Sequence, residues 1–231
     1  KDRAILFVVV HVNSMDQTLR NVEIAIKAQV DGILLINHGF PFPKLLEMAK
    51  TITEKYPDTF FGVNCLGSYP HDVIPKIAKI PGIRAVWADN AQINEEAPEM
   101  AQTYPKRVVS KIQSSKYKGL YMGGVAFKYQ RVVNKNNLKK AASLATKFMD
   151  VVTTSGPGTA KAADIEKISL LKEGMGTHPL AIASGITPEN VDQYLPYANI
   201  FIVASGISYD FHNLNPIKVK ALMDKLKAGV Q

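Results

Sequence analysis

The tetrapeptide Ala-Ser-Gly-Ile occurs twice, at 183–186 and at 204–207, and a glycine-rich run, Thr154-Ser155-Gly156-Pro157-Gly158, precedes both. Glycine lets a backbone approach an anion closely, a serine hydroxyl donates, and free N–H groups where a helical turn begins attract negative charge. The chemistry that fits is phosphate binding, with Gly156, Ser184, Gly185, Ser205 and Gly206 as its candidates; the competing reading is a set of simple tight turns. If phosphate sits there, a bulky residue at Gly206 is expected to exclude a phosphorylated ligand with little change in folding.

Two further residues could carry a reaction. Asp89 follows the strand-length run Arg84-Ala85-Val86-Trp87-Ala88 and is a candidate general acid/base, or alternatively a cap for the segment that follows. Lys128 could neutralise a phosphate, polarise a carbonyl or, if its pKa is depressed by burial, form a Schiff base. His11, Asn37, Asn64 and Thr154 are candidate pocket residues. His11 and His38 with Asp89 form no recognisable ligand spacing, so no metal is expected and the histidines are read as hydrogen-bonding groups. No cofactor is expected either. Cys65 has no evident base and reads as a small core residue.

Positioning these residues requires a scaffold that brings many chain segments to one rim. Apolar, β-branched runs at 5–10, 32–37, 59–64, 84–88, 119–125, 149–154, 180–183 and 200–204 fit parallel strands buried on both faces. Amphipathic stretches of helical period alternate with them, such as Leu19-Val22-Ile24-Ala25-Ala28 and Val219-Leu222-Met223-Leu226. Thr187-Pro188-Glu189 reads as a helix start. Eight such units without a linker predict one domain over 1–231, a single closed (β/α)8 barrel. In that fold the residues after each strand share the active-site face, and here they are polar: His11, Asn37, Asn64, Asp89, Lys128, Thr154, Ser184 and Ser205. The polar stretch 89–104, ahead of a helix opened by Pro105, is a long fourth loop that reads as a lid or as a surface excursion.

The chain of 231 residues is 46% hydrophobic and 21% charged, so it can bury a large core beneath an ordinary surface. A formal charge of +8 raises the question of nucleic acid. Lysines such as Lys218, Lys220, Lys225 and Lys227 sit at helical spacing without an accompanying recognition motif, so no nucleic-acid partner is expected. No run approaches the roughly 18 apolar residues of a membrane span. One cysteine forms no internal disulfide, which favours a reducing compartment: the cytoplasm, or an organelle after removal of a segment ahead of Lys1. A homo-oligomer is left open.

Four segments carry a family resemblance: Asn37-His38-Gly39-Phe40-Pro41-Phe42, Gly62-Val63-Asn64-Cys65-Leu66, Thr154 to Thr159 with Ala163-Asp164-Ile165-Glu166-Lys167, and Ser184 to Val191. In these the chain resembles the BtpA family, named for a factor in photosystem I biogenesis and similar to the ribulose-phosphate-binding barrels. The resemblance implies a phosphate-type site at Gly156, Ser184, Gly185, Ser205 and Gly206, with polar positions at His11, Asn37, Asn64 and Lys128. The chain departs from the family where Gly124 and Ala126 stand at its usual Asp and His positions.

The expectation is therefore a phosphate-binding barrel, an enzyme acting on a small phosphorylated metabolite such as a sugar phosphate or a nucleotide-like molecule. Its alternative is a binding or assembly factor that keeps the pocket without turnover.

Overall fold

The computed structural model describes residues 3–228. Eight strands, β1 (Ile5–His11), β2 (Gly32–Ile36), β3 (Phe61–Asn64), β4 (Ile83–Ala88), β5 (Leu120–Gly124), β6 (Val151–Ser155), β7 (Leu180–Ala183) and β8 (Ile200–Val203), form a closed parallel barrel in chain order. Closure is made by β1 against β8, where Ile5 pairs with Ile200 and Val8 with Val203. The expected strands are all present, each within two residues of its sequence-based bounds. Loop n below denotes the segment following strand βn.

Among the described residues, seven α-helices surround the barrel: α1 (Met15–Lys27), α2 (Phe42–Lys55), α3 (Pro70–Ile77), α4 (Thr103–Ser115), α5 (Leu138–Ala145), α6 (Ile165–Met175) and α7 (Pro216–Ala228). Strand residues alternate between two cores, as a period of two requires. Leu6, Val8, Leu35, Val63, Val86 and Ile182 face outward and pack with helix residues such as Val22, Leu45, Ile74 and Leu222. Phe7, Val9, Leu34, Trp87, Met122, Val151, Ala181 and Ile202 fill the barrel axis. The apolar runs are apolar on both faces because both faces are buried.

The seventh unit departs from the expectation. Thr187-Pro188-Glu189 does not start an α-helix; a single 3-10 turn, Val191–Tyr194, follows instead. Thr187 Oγ1 accepts only from Glu189 N at 3.2 Å, and the side chain of Asn190 closes a local turn by accepting from Thr187 N at 2.8 Å. Pro196 ends the turn because proline has no N–H to donate to a helical carbonyl, while Leu195 before it keeps a right-handed helical backbone at φ −56°, ψ −31°. Tyr194 then uses its position to reach across to loop six, donating to Ala163 O at 2.7 Å.

Loop four is wired in place. Gln102, buried, accepts from Asn94 N at 3.0 Å and donates to Asn94 O at 2.7 Å. The Glu95 carboxylate, 1% exposed, pairs with the Arg131 guanidinium of loop five, which also donates to Ile93 O at 3.2 Å. Arg131 holds the Glu95 carboxyl below the usual carboxylate range. Of the two sequence readings, this geometry fits a structured excursion.

Candidate active site

The C-terminal ends of the strands surround a cavity of about 240 Å³ on the barrel axis. Its floor is apolar, made by Val9, Ile36, Trp87, Ala183 and Ile202, and its wall carries His11, His38, Asp89, Lys128, Ser184 and Ser205. An apolar base with a few convergent polar groups is the form that a small-molecule site takes.

Asp89 stands half-buried at the end of β4 and accepts a hydrogen bond from Asn64 Nδ2 at 2.8 Å. Burial raises its pKa above the usual aspartate value, opposed by the Asn64 hydrogen bond and by the positive potential of Lys128 and His38. A carboxyl group held toward its protonated form beside a cation suits proton transfer. Gly124 makes the placement possible, because a Cβ there would overlap the backbone carbonyl of Asp89. Lys128, half-buried on loop five, is fixed through its backbone: its N–H donates to Ser155 Oγ at 2.7 Å. Its ammonium lies along the cavity wall near Thr159 Oγ1, at 3.4 Å.

His11 is stacked on Phe211, with ring centroids 4.0 Å apart, and meets His38 edge-on at 5.9 Å. Burial, then the neighbouring His38, His212 and Lys128, push its pKa down to about 4, so it is a neutral ring at pH 7. Phe211 comes from loop eight, a small hairpin closed by the Ser208–Leu214 bridge. Helix α1 anchors that hairpin: Gln17 Nε2 and Asn21 Nδ2 each donate to His212 O at 2.6 Å, and Leu214 N donates to Asn21 Oδ1. The result is an aromatic flap over the β1–β2 side of the mouth.

The five phosphate candidates divide. Ser184 and Ser205 line the cavity, and Gly185 and Gly206 flank them; no protein acceptor among the described residues takes the N–H of Gly185, Ser205 or Gly206. Gly156 does not join them at the surface. A Cβ at Gly156 or at Gly185 would run into the Lys161–Ala162 backbone of loop six, and Ser184 Oγ donates to Gly158 O at 3.0 Å. Loop six therefore lies across the ends of β6 and β7, and Gly156 borders a separate cavity between loops five and six. Gly206 is likewise packed, since a Cβ there would overlap the Ile186 carbonyl. These glycines are small because loops pack on them, which a sequence motif does not distinguish from anion clearance.

The pocket candidates also divide. Asn64 supports Asp89. Asn37 is buried away from the cavity, where it donates to Phe40 O and Leu66 O and accepts from Leu66 N, so it ties loop two to loop three. Thr154 is fully buried, with its hydroxyl 3.4 Å from Ala126 O, and it holds β6 to loop five. Cys65 is buried in the outer core, and burial pushes its thiol up to about 12.

Sequence reasoning missed Phe211, whose role depends on anchoring by α1, and Lys167. Lys167 Nζ donates to Ala126 O at 2.5 Å and Ser155 O at 2.7 Å, and burial pushes its pKa down to about 8. It ties α6 to loop five and to the end of β6. Five non-glycine residues with positive φ, Gln92, Ala126, Tyr129, Ala160 and Ser184, lie in loops four to seven, while Gln29 and Lys116 follow α1 and α4 at the other end of the barrel.

No family model matches the chain, and none of the curated proteins matches it in sequence. Solved structures match it in fold. Phosphoribosyl anthranilate isomerase from Thermus thermophilus aligns over 97% of this chain and 98% of its own, at 14% identity and a TM-score of 0.67. (S)-3-O-geranylgeranylglyceryl phosphate synthase from Thermoplasma acidophilum, solved with sn-glycerol-1-phosphate, aligns over 98% and 94%, at 12% identity and a TM-score of 0.71. 3-keto-L-gulonate-6-phosphate decarboxylase from Vibrio cholerae aligns over 98% and 99%, at 11% identity and a TM-score of 0.65. The likeness to these proteins is one of fold: this chain is a single (β/α)8 barrel whose similar structures include enzymes named for phosphorylated compounds.

Proposed function

We propose that the chain is an enzyme acting on a small phosphorylated metabolite at the C-terminal mouth of the barrel. The phosphate would sit against Ser184, Ser205 and the free amides of Gly185 and Gly206, with the reacting part of the molecule over the apolar floor. Asp89 would transfer the proton and Lys128 would stabilise the developing anion. One observation carries this reading: a half-buried carboxyl with a raised pKa shares a cavity with a cation and with two serines of a glycine-containing loop. A scaffold that only binds gains nothing from keeping Asp89 out of water, which favours turnover over the non-catalytic alternative. The names of the structural neighbours support the substrate class, and the assignment to the BtpA family rests on the four segments quoted above. A reducing, cytoplasmic setting fits the single buried thiol. Among the described residues no helix is long and apolar enough to cross a membrane.

The test is a thermal-shift screen of sugar phosphates, followed by turnover measured on each stabilising compound for the parent chain, Asp89→Asn and Lys128→Met. The reading expects stabilisation by phosphorylated compounds over their dephosphorylated forms. It expects Asp89→Asn to keep binding and lose turnover. Binding without turnover by the parent chain would favour the non-catalytic alternative.

A further inference from the structure

A second cavity of about 330 Å³ adjoins the mouth on the side of loops three and four, and the two share Leu66, Trp87 and Asp89 in their walls. Its chemistry differs from that of the first. Tyr69 and Tyr104 stand at the starts of α3 and α4, with ring centroids 6.1 Å apart and planes at 68°. Tyr69 is 56% exposed and is braced by stacking on His71 at 5.4 Å. Opposite the tyrosines are the amides of Asn90, Gln92 and Gln130. Asn90 Nδ2 donates to Gln130 Oε1 at 2.8 Å, which orients Gln130 and leaves its Nε2 to donate outward. No lysine or arginine lines this cavity, and Asp89 is its one charged side chain.

Aromatic faces with amide donors and acceptors recognise a flat, neutral, hydrogen-bonding ring, as in single-stranded nucleic acid sites. The absence of a lining cation disfavours an aryl carboxylate or a second phosphate, each of which would leave a charge unpaired. Loops three and four lie across the barrel mouth from loops seven and eight, so one molecule placed over the floor reaches both ends. Resting on the function proposed above, we infer that the loop-three and loop-four cavity is a subsite for a neutral heterocyclic base, and that the substrate belongs to the nucleoside-monophosphate class. Phosphate binds on the Ser184–Ser205 side, the sugar lies by Asp89 and Lys128, and the base lies on Tyr69 and Tyr104.

Trp87, the only tryptophan, lies 6% exposed in the wall between the two cavities and reports on both. Its fluorescence is titrated with ribose 5-phosphate, with adenosine and with adenosine 5′-monophosphate, in the parent chain and in Tyr69→Ala and Tyr104→Ala. The monophosphate should bind about five- to hundredfold tighter than ribose 5-phosphate, the range that stacking of one base contributes. Either tyrosine variant should bring the monophosphate toward the affinity of ribose 5-phosphate while leaving the latter unchanged. The exposed Tyr69 can be replaced without disturbing the core, so that variant stays informative if Tyr104→Ala folds poorly. If the monophosphate binds no tighter than ribose 5-phosphate, or if Tyr69→Ala weakens both equally, the base subsite is overturned while the phosphate reading stands. If adenosine binds and ribose 5-phosphate does not, the subsite stands and the phosphate reading falls. Binding of none of the three overturns the inference.

Discussion

Gly206→Ala separates loop packing from anion clearance at the second Ala-Ser-Gly-Ile copy. Gly206 does not have positive φ, so alanine brings no backbone penalty of its own. The added methyl, however, would overlap the Ile186 carbonyl and meet Thr187 Cγ2 at 3.1 Å. The Ile186 carbonyl belongs to backbone and cannot swing aside, so loop eight must shift against loop seven. Overpacking of this kind costs about 1–3 kcal/mol, slightly offset by the lower entropy of an unfolded alanine. In a chain of this size each kcal/mol moves Tm by about 2–4 °C, so a fall of roughly 2–12 °C is expected. Gly158→Ala is the control, because its Cβ would meet the flexible Lys161 side chain at 3.3 Å and Tyr129 Oη at 3.6 Å, an ordinary contact. Calorimetry or thermal unfolding without ligand should show the loss in Gly206→Ala and almost none in Gly158→Ala. An unchanged Tm in Gly206→Ala, with weakened binding of phosphorylated compounds, would refute the packing argument and restore the simpler expectation from sequence.

Three further outcomes follow from the site. Asp89 holds its proton to higher pH in the folded state than in the unfolded chain, so folding takes up a proton there and the associated stability is lost as pH rises through the raised value. Asp89→Asn should therefore raise Tm at pH 7, by about 2–4 °C for each kcal/mol relieved, and leave it unchanged at pH 3. Arg131→Met leaves the Glu95 carboxylate buried without its partner; losses of about 3–5 kcal/mol are usual for fully buried pairs, and the half-exposed Arg131 places this one lower. The parent's Glu95 stabilisation is present above the ordinary glutamate range and fades as pH falls, so acid unfolding should flatten in the variant and proteolysis within 89–102 should accelerate. Phe211→Ala uncovers His11, whose pKa should climb from about 4 toward the ordinary 6.5, read by NMR titration of the histidine ring protons.

The barrel was legible because its strands are apolar on both faces, a consequence of two concentric cores, and because all but β5 end in a polar residue or are followed by one within two positions. Asp89 was legible as the polar residue directly after β4, and Lys128 as the first charged residue after β5, four positions beyond its end. Less of the anion corner was legible: the Ser-Gly copies were found, yet whether Gly156 opens to a ligand depends on where Lys161 and Ala162 fold back. The seventh unit lacks an α-helix because Pro196, eight residues beyond Pro188, outweighs the helix-start pattern of Thr187 and Pro188. Phe211 was out of reach, because its position depends on Gln17 and Asn21 binding His212 from 195 and 191 residues away. Contacts at that separation come from barrel closure, which brings loop eight beside α1, and no local pattern encodes them.

The central claim is that a phosphorylated metabolite occupies the barrel mouth with its phosphate on the Ser184–Ser205 side. A crystal structure with ribose 5-phosphate tests it most directly. The account expects the phosphate within hydrogen-bond distance of the Gly185, Ser205 or Gly206 amides, and the sugar carbons over Val9 and Ile202 within reach of Asp89 and Lys128. A phosphate bound instead among Lys135, Arg131 and Lys167 between loops five and six, with the Ser184–Ser205 corner empty, would contradict it.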